Sequence, residues 1–310
     1  MPDNSVIGVD VGGTKILAGI VDQDGNVARS TVTPTPTRSQ SDFLAGLESA
    51  IVALLDERNG VSALGLGLPS VIDQRAGEAL SSVNIPLTGV PVREQLAERF
   101  ALPVELDNDG NAAAIAEWSI GVGRGTSDLV MLTLGTGIGG GLILDGRPYR
   151  GATGGAAELG HIVVEHGGPP CQGTCTGHGH LEAVVSGGAA HRVARELLGP
   201  DASAHELIAL ARAGDPPAAA ALETMGRYLG SGLASIVNIF EPELIVLGGG
   251  FSAAAADLLL PPAREVLAVE GRRPSNERVR VELAHLGVQA GMVGAALVAF
   301  EALEAASGRR

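Results

Sequence analysis

Asp107-Asn108-Asp109-Gly110-Asn111 sets four polar residues in five between an apolar strand pattern and a helical one. A carboxylate at such a junction is placed to take the proton of a substrate hydroxyl, and neighbouring amides can orient that hydroxyl. Asp and Asn are also favoured helix caps. Capping accounts for one such residue but not for four, so both readings stand. Asp10-Val11-Gly12-Gly13-Thr14-Lys15 joins two apolar strand patterns. Its glycines let backbone N–H groups come close to phosphate oxygens. Thr14 and Lys15 add a hydroxyl and a cation, and Asp10 can hold magnesium through water. An ordinary hairpin explains Gly12-Gly13 but not the flanking Asp and Lys. A strand rather than a helix follows this turn, which sets it apart from dinucleotide and Walker loops and argues against a dinucleotide-dependent oxidoreductase. Gly135-Thr136-Gly137-Ile138-Gly139-Gly140-Gly141 is a second glycine turn between apolar strands, able to grip one triphosphate from the opposite side.

A further cluster runs from Glu158 and His161 through Cys171, Cys175, His178 and His180 to Glu182. Cys and His so close together suit tetrahedral zinc. Cys171 and Cys175 are the only two cysteines and the chain opens without a basic leader, so metal ligation is preferred over a disulfide, and a reducing cytoplasm is the expected setting. No ligand position is visibly left to water, which favours a closed structural site over catalytic zinc. His178 competes with His180, and a reduced cysteine pair without metal is the alternative.

These residues need a scaffold that presents two glycine turns to one space. Apolar runs at 6–10, 15–22 and 27–33, broken by short turns, read as a β-meander. A Pro-punctuated loop (34–41) precedes a helix over about 42–58, with Leu44, Leu47, Ile51 and Leu54 on one stripe. A strand at 64–68, a short helix near 91–100, a strand at 103–106 and a helix near 110–118 follow. The opening pattern then recurs: strand 129–134, glycine turn, strand 142–144, Asp145-Gly146. Two such copies predict a duplicated domain. Residues 147–182 lack periodicity, 182–240 are helical in pattern, a strand at 244–247 enters Gly248-Gly249-Gly250, and a strand near 279–284 and a helix over about 290–304 close an α/β chain.

The 310 residues suggest two lobes. Lys and Arg total 21 against 35 Asp and Glu, a net charge of −14 that argues against nucleic acid as a partner and does not favour a long polyphosphate donor. Apolar residues make up 45% but aromatic ones only 3%, so the core must be aliphatic. The longest uncharged apolar stretch, Leu129 to Leu144, holds five glycines in 16 residues and is too short for a bilayer, which needs ~20.

Taken together, DVGGTK, DNDGNAA, LGTGIGGG and ELGH…C…C…HLE…SG resemble the ROK family of sugar kinases, in order and roughly in spacing, over about residues 5–300. The first phosphate turn begins at residue 10, leaving no room before it for the helix-turn-helix of the family's repressor class. The resemblance implies an actin-like, hexokinase-like (ribonuclease H-like) fold with two lobes around a cleft, here 1–112 plus 291–310 and 113–290, with a zinc loop at 161–182. It implies Asp109 as general base, and Ser70, Asn84, Asn108, Glu158, His161 and Glu182 at the sugar. Asp10, Gly12, Gly13, Thr14, Lys15, Thr136, Gly137, Gly139 and Gly249 fall to ATP and magnesium. The family's zinc stretch reads Cys-x-Cys-x4-Cys after an upstream His, whereas the first gap here is two residues longer and His180 replaces the last Cys. The implied ligands are His161, Cys171, Cys175 and His180, with the second nitrogen of His161 turned to the sugar. Ser70 stands where many glucokinases of the family have Gly. The implied activity is ATP-dependent phosphorylation of glucose. An N-acetylmannosamine or N-acetylglucosamine kinase is the nearest alternative, and a non-catalytic sugar sensor the alternative from another class. A homodimer or tetramer is implied as well.

Overall fold

The computed structural model describes residues 5–55, 60–82 and 85–307. Strands β1 (Ser5–Val11), β2 (Lys15–Asp22) and β3 (Val27–Pro34) form the expected antiparallel meander. Helix α1 (Gln40–Val52) starts at Ser39, whose hydroxyl accepts from the Asp42 N–H, and it buries Phe43, Leu47, Ala50 and Ile51. It stops short of the expected end at 58, and residues 56–59 lie outside the described residues. β4 (Val61–Leu68) pairs parallel with β1. A hairpin of β5 (Ser70–Asp73) and β6 (Glu78–Ser82) follows, a pair too short and too polar to show as a pattern in the sequence. α2 (Val92–Phe100) leads to β7 (Val104–Asn108), and α3 (Asp109–Ser119) begins at once.

The second half repeats this plan. β8 (Leu129–Leu134), β9 (Ile138–Leu144) and β10 (Arg147–Pro148) make a second meander, followed by helices α4 (Leu181–Val185), α5 (Gly187–Leu198), α6 (Ala204–Arg212) and α7 (Pro216–Phe240). Then come β11 (Leu244–Gly248), α8 (Gly250–Glu270), α9 (Ser275–Arg278), β12 (Arg280–Leu283) and α10 (Ala290–Ala306). The sheets run β3-β2-β1-β4-β7 and β10-β9-β8-β11-β12, the same order twice.

The second glycine turn is shorter than expected. β9 begins at Ile138, so only Gly135-Thr136-Gly137 turns, and Gly139, Gly140 and Gly141 are strand residues paired with β8. Gly110 and Gly141 serve packing. A Cβ on Gly110 would overlap the Gly140 carbonyl, and one on Gly141 would lie 2.6 Å from the Gly110 carbonyl oxygen. They let the first turn of α3 rest directly on β9.

Each half of the chain lends a helix to the sheet of the other half. α3, in the first half of the chain, packs on β8 and β9, whereas the C-terminal α10 packs on β1, β4 and β7, and the two helices lie against each other. Val6, Leu17, Val21 and Ala63 of one sheet and Leu129, Met131, Leu244 and Val246 of the other enclose them in one apolar layer. The boundary expected at residue 112 falls within α3. α10 is long and apolar enough to cross a membrane by composition, but Ala290 to Ala296 and Val298 to Phe300 are buried in this layer. The approach requires absent side chains: a Cβ on Gly65 of β4 would overlap the Ala295 carbonyl, and one on Gly294 the Ala112 carbonyl. Gly65→Ala is therefore expected to cost about 3 kcal/mol through overpacking, read as a lower denaturant midpoint with an unchanged slope.

Candidate active site

The β7–α3 junction divides its polar residues among separate tasks. Asn108 Oδ1 accepts from the N–H groups of Gly110 (2.9 Å) and Asn111 (3.2 Å) and caps α3. Asp107 is fully buried, and its Oδ2 accepts from Arg150 Nη2 (2.6 Å) and Nε (2.8 Å). Its Oδ1 accepts from Asn111 Nδ2 at 3.0 Å. Capping and ion pairing are thus met by Asn108 and Asp107, and Asp109 is the carboxylate of this stretch that serves neither. Asp109 Oδ1 accepts from the Gly110 N–H at 2.9 Å. Burial pushes its carboxyl up to about 6, against the Gly110 hydrogen bond and with the negative charge of Glu158 adding to the rise.

Asp10 lies near the end of β1, in the same sheet as β7. Burial raises its carboxyl to about 7, the charge of Asp109 adds to this, and Lys15 opposes it. Gly291, at the start of α10, closes over that carboxylate, since a Cβ there would lie 2.5 Å from Asp10 Cγ. The first turn is pinned from within by Gly12 N–H to the Lys15 carbonyl (2.9 Å). Thr35 pins it from outside, its Oγ1 donating to the Gly12 carbonyl (2.7 Å). Gly13, Thr14 and Lys15 remain exposed.

The second turn is held between two helix starts. The N–H groups of Gly187 and Gly188 in α5 donate to the carbonyls of Gly135 (2.8 Å) and Thr136 (3.0 Å). Gly249 adopts φ +87°, and a Cβ there would overlap the Leu134 carbonyl, so the turn into α8 lies directly against the end of β8. The Ile138 N–H donates to Glu182 Oε2 at 2.7 Å.

The metal-type residues converge. His161 Nδ1 lies 3.1 Å from His180 Nδ1, 3.8 Å from Cys171 Sγ and 3.7 Å from Cys175 Sγ, and Cys175 Sγ is 3.7 Å from His180 Nδ1. All four donor atoms fall within 4.8 Å of one another. Zinc bonds of ~2.0–2.3 Å give a tetrahedron with edges of about 3.3–3.8 Å, so this donor set fits zinc. Burial, with the neighbouring Cys175 and Glu182, pushes the Cys171 thiol up to about 12, a situation that a bound cation reverses. His178 is exposed and bridges Pro170 through its backbone, so His180 is the histidine that faces the cluster. His161 Nε2 stands 3.9 Å from Glu158 Oε2. Partial loss of solvation raises the Glu158 carboxyl above its ordinary value, with His161 opposing the shift and Glu182 adding to it.

The Ser70 hydroxyl is buried with no hydrogen-bond partner, while its carbonyl accepts from Asn108 Nδ2 at 3.4 Å. Asn84, expected at the sugar, lies outside the described residues. Two positioning side chains escaped sequence reasoning. Arg150 sits in an aperiodic stretch, and only the need of buried Asp107 for a cation points to it. Gln172 lies between the cysteines, where nothing but its amide distinguishes it.

The ROK family profile matches residues 6–302. A glucokinase of Streptomyces coelicolor is 36% identical over 319 residues, covering 95% of this chain and 97% of its own. An N-acetyl-D-glucosamine kinase of Salmonella paratyphi B is 34% identical over 306 residues, covering 94% and 98%. The crystal structure of a ROK family glucokinase from Streptomyces griseus, in complex with glucose and AMPPNP, superposes with a TM-score of 0.84 at 34% identity, covering 96% and 99%. Duplicated lobes, paired glycine turns and this likeness define an α/β two-lobed sugar kinase. The chain belongs to the ROK family.

Proposed function

We propose that this protein transfers the γ-phosphoryl group of ATP to the 6-hydroxyl of glucose. The observation that carries the reading is Asp109, a half-buried carboxylate near Glu158 at the head of α3, with a glycine turn on either lobe. In the reaction the sugar O6 forms a bond to the γ-phosphorus, the bond from that phosphorus to the β,γ-bridging oxygen breaks, and ADP leaves. Asp109 takes the hydroxyl proton. Such transfer depends mostly on alignment and charge neutralisation. The exposed Gly13, Thr14 and Lys15 serve the phosphates from one lobe, with Thr136 and Gly137 opposite and Gly249 near the adenosine. Magnesium supplies charge neutralisation between the phosphates, and Asp10 would hold it through water. The mutual repulsion of Asp10 and Asp109 fits a cation there.

Zinc, held by His161, Cys171, Cys175 and His180, would fix the loop that presents the sugar ligands. His161 then spends Nδ1 on the metal and points Nε2 at Glu158 and the sugar, with Asn108 and Ser70 lining the same pocket and Glu182 closing it. We assign the lobes as 1–112 with 291–310, and 113–290, closing over the sugar to exclude water.

ADP formation with Mg-ATP, measured against glucose, mannose, fructose, N-acetylglucosamine and N-acetylmannosamine, tests the reading. The highest kcat/KM is expected for glucose. Preference for an acetylated sugar would move the activity to that substrate, as the similarity to an N-acetyl-D-glucosamine kinase allows. No turnover on any sugar would favour a sensor.

A further inference from the structure

Gln172 is the residue immediately after the first cysteine of the metal loop, and its side chain leaves that loop. Its Nε2 donates to Ser186 Oγ at 2.6 Å and to the Glu182 carbonyl at 3.2 Å. Its Oε1 occupies the space a side chain at position 188 would need, since a Cβ on Gly188 would overlap it. Ser186 is the cap of α5, and its hydroxyl also accepts from the Ala189 N–H at 3.1 Å. The next two N–H groups of that helix, from Gly187 and Gly188, hold the Gly135 and Thr136 carbonyls of the second glycine turn. Gln172 is itself fixed by its loop, because its carbonyl accepts from the Cys175 N–H at 3.3 Å and the Cys171 N–H donates to the Gly177 carbonyl at 2.9 Å.

A chain of contacts therefore runs from the metal loop through the Gln172–Ser186 hydrogen bond, and along the backbone from Ser186 to the Gly187 and Gly188 N–H groups, to the turn that faces the nucleotide. We infer that Gln172 is a positioning residue for the nucleotide, tying the metal loop to the Gly135–Gly137 turn so that the loop organises the ATP side of the cleft as well as the sugar side. Gln172 touches no substrate. It acts by setting where the start of α5 stands, and through it the carbonyls and N–H groups of the turn. A side chain of this length with a donor amide is required: Ala reaches nothing, and Glu cannot donate to the Glu182 carbonyl.

This inference rests on the kinase reading above, and titration calorimetry with the full-length metal-loaded protein separates the two. Gln172→Ala is expected to weaken binding of Mg-AMPPNP about tenfold, the scale of one or two lost hydrogen bonds. Glucose binding without nucleotide should change less than about twofold, in keeping with a contact outside the sugar pocket, and zinc should stay at one per chain. Equal AMPPNP affinity in wild type and variant would overturn the inference while leaving the kinase reading intact. Wild-type protein that binds no AMPPNP and phosphorylates no sugar would overturn the kinase reading itself. A double-mutant cycle guards against a general loss of folding: Gln172→Ala should add little to the AMPPNP defect of Ser186→Ala if it acts through that hydroxyl. Full additivity would mean that Gln172 does not act through Ser186 and would overturn the chain of contacts drawn here.

Discussion

Asp109→Asn is expected to lower kcat by at least about 10²-fold, and up to about 10⁴-fold, while the dissociation constant for glucose changes little. The Asn side chain keeps the shape and can still accept from the Gly110 N–H, as Asp109 Oδ1 does at 2.9 Å. What it loses is the ability to take a proton from the attacking hydroxyl. The pH dependence carries the same signature. Burial raises the Asp109 carboxyl to about 6, so the ionised form that can act as base accumulates above that pH. The kcat/KM of the wild type should therefore rise through an acid limb near pH 6, a limb missing from the residual activity of the variant. Stability runs the other way. A carboxyl whose folded pKa exceeds its unfolded value binds its proton more tightly in the native state, so ionising it costs stability as pH rises from the ordinary carboxylate range through about 6. Asp10, raised to about 7 by burial and by Asp109, contributes in the same sense. At pH 7, without ligands, Asp109→Asn should melt higher than the wild type. A variant that is both inactive and less stable would point to misfolding, and one that retains turnover would remove Asp109 as the base.

Removing the metal should have an effect of similar size on a different observable. Cys175→Ala deletes a sulfur that stands 3.7 Å from both His161 Nδ1 and His180 Nδ1. Elemental analysis is expected to fall from one zinc per chain to none, with a lower melting temperature, because the stretch from 147 to 180 has few periodic contacts to hold it otherwise. The sugar site should weaken about 10- to 100-fold, the range seen when partners of a metal site are lost. His161 would no longer be fixed with Nε2 toward Glu158, and Glu182, two residues beyond His180, would lose its anchor. Wild-type protein free of zinc yet fully active would sink the metal reading, and Cys175→Ala with unchanged glucose affinity would confine the metal to a purely local role.

The two meanders, the duplication and the main helices are legible in the residues because short continuous apolar runs broken by glycine turns have few other solutions. The β5–β6 hairpin is not legible, since Ser70–Asp73 and Glu78–Ser82 are short and paired mainly with each other. Within the candidate site, spacing singles out these stretches but cannot divide labour inside them. Asp107, Asn108 and Asp109 are consecutive, and only their directions from a strand end make one an ion-pair partner, one a cap and one a base candidate. The same limit governs His178 and His180, separated by the backbone bridge to Pro170 that turns one outward. The glycine run at 139–141 reads as ligand-facing backbone, yet all three are strand residues and Gly141 admits α3. Sequence shows that backbone must come close to something without showing what.

The exchange of α3 and α10 between the lobes bears on how this chain can be divided. Each sheet is completed by a helix that the other half of the polypeptide encodes. A cut near residue 126 would separate β1, β4 and β7 from α10, baring Val6, Leu17, Val21 and Ala63, and would strip α3 of β8, β9 and α10, its main packing partners. Neither product would be a self-sufficient folding unit, although each carries a full set of strands. The repeat is thus interlocked rather than tandem. A fusion or circular permutation that keeps both halves in one molecule preserves the shared layer, whereas excision of either half destroys it.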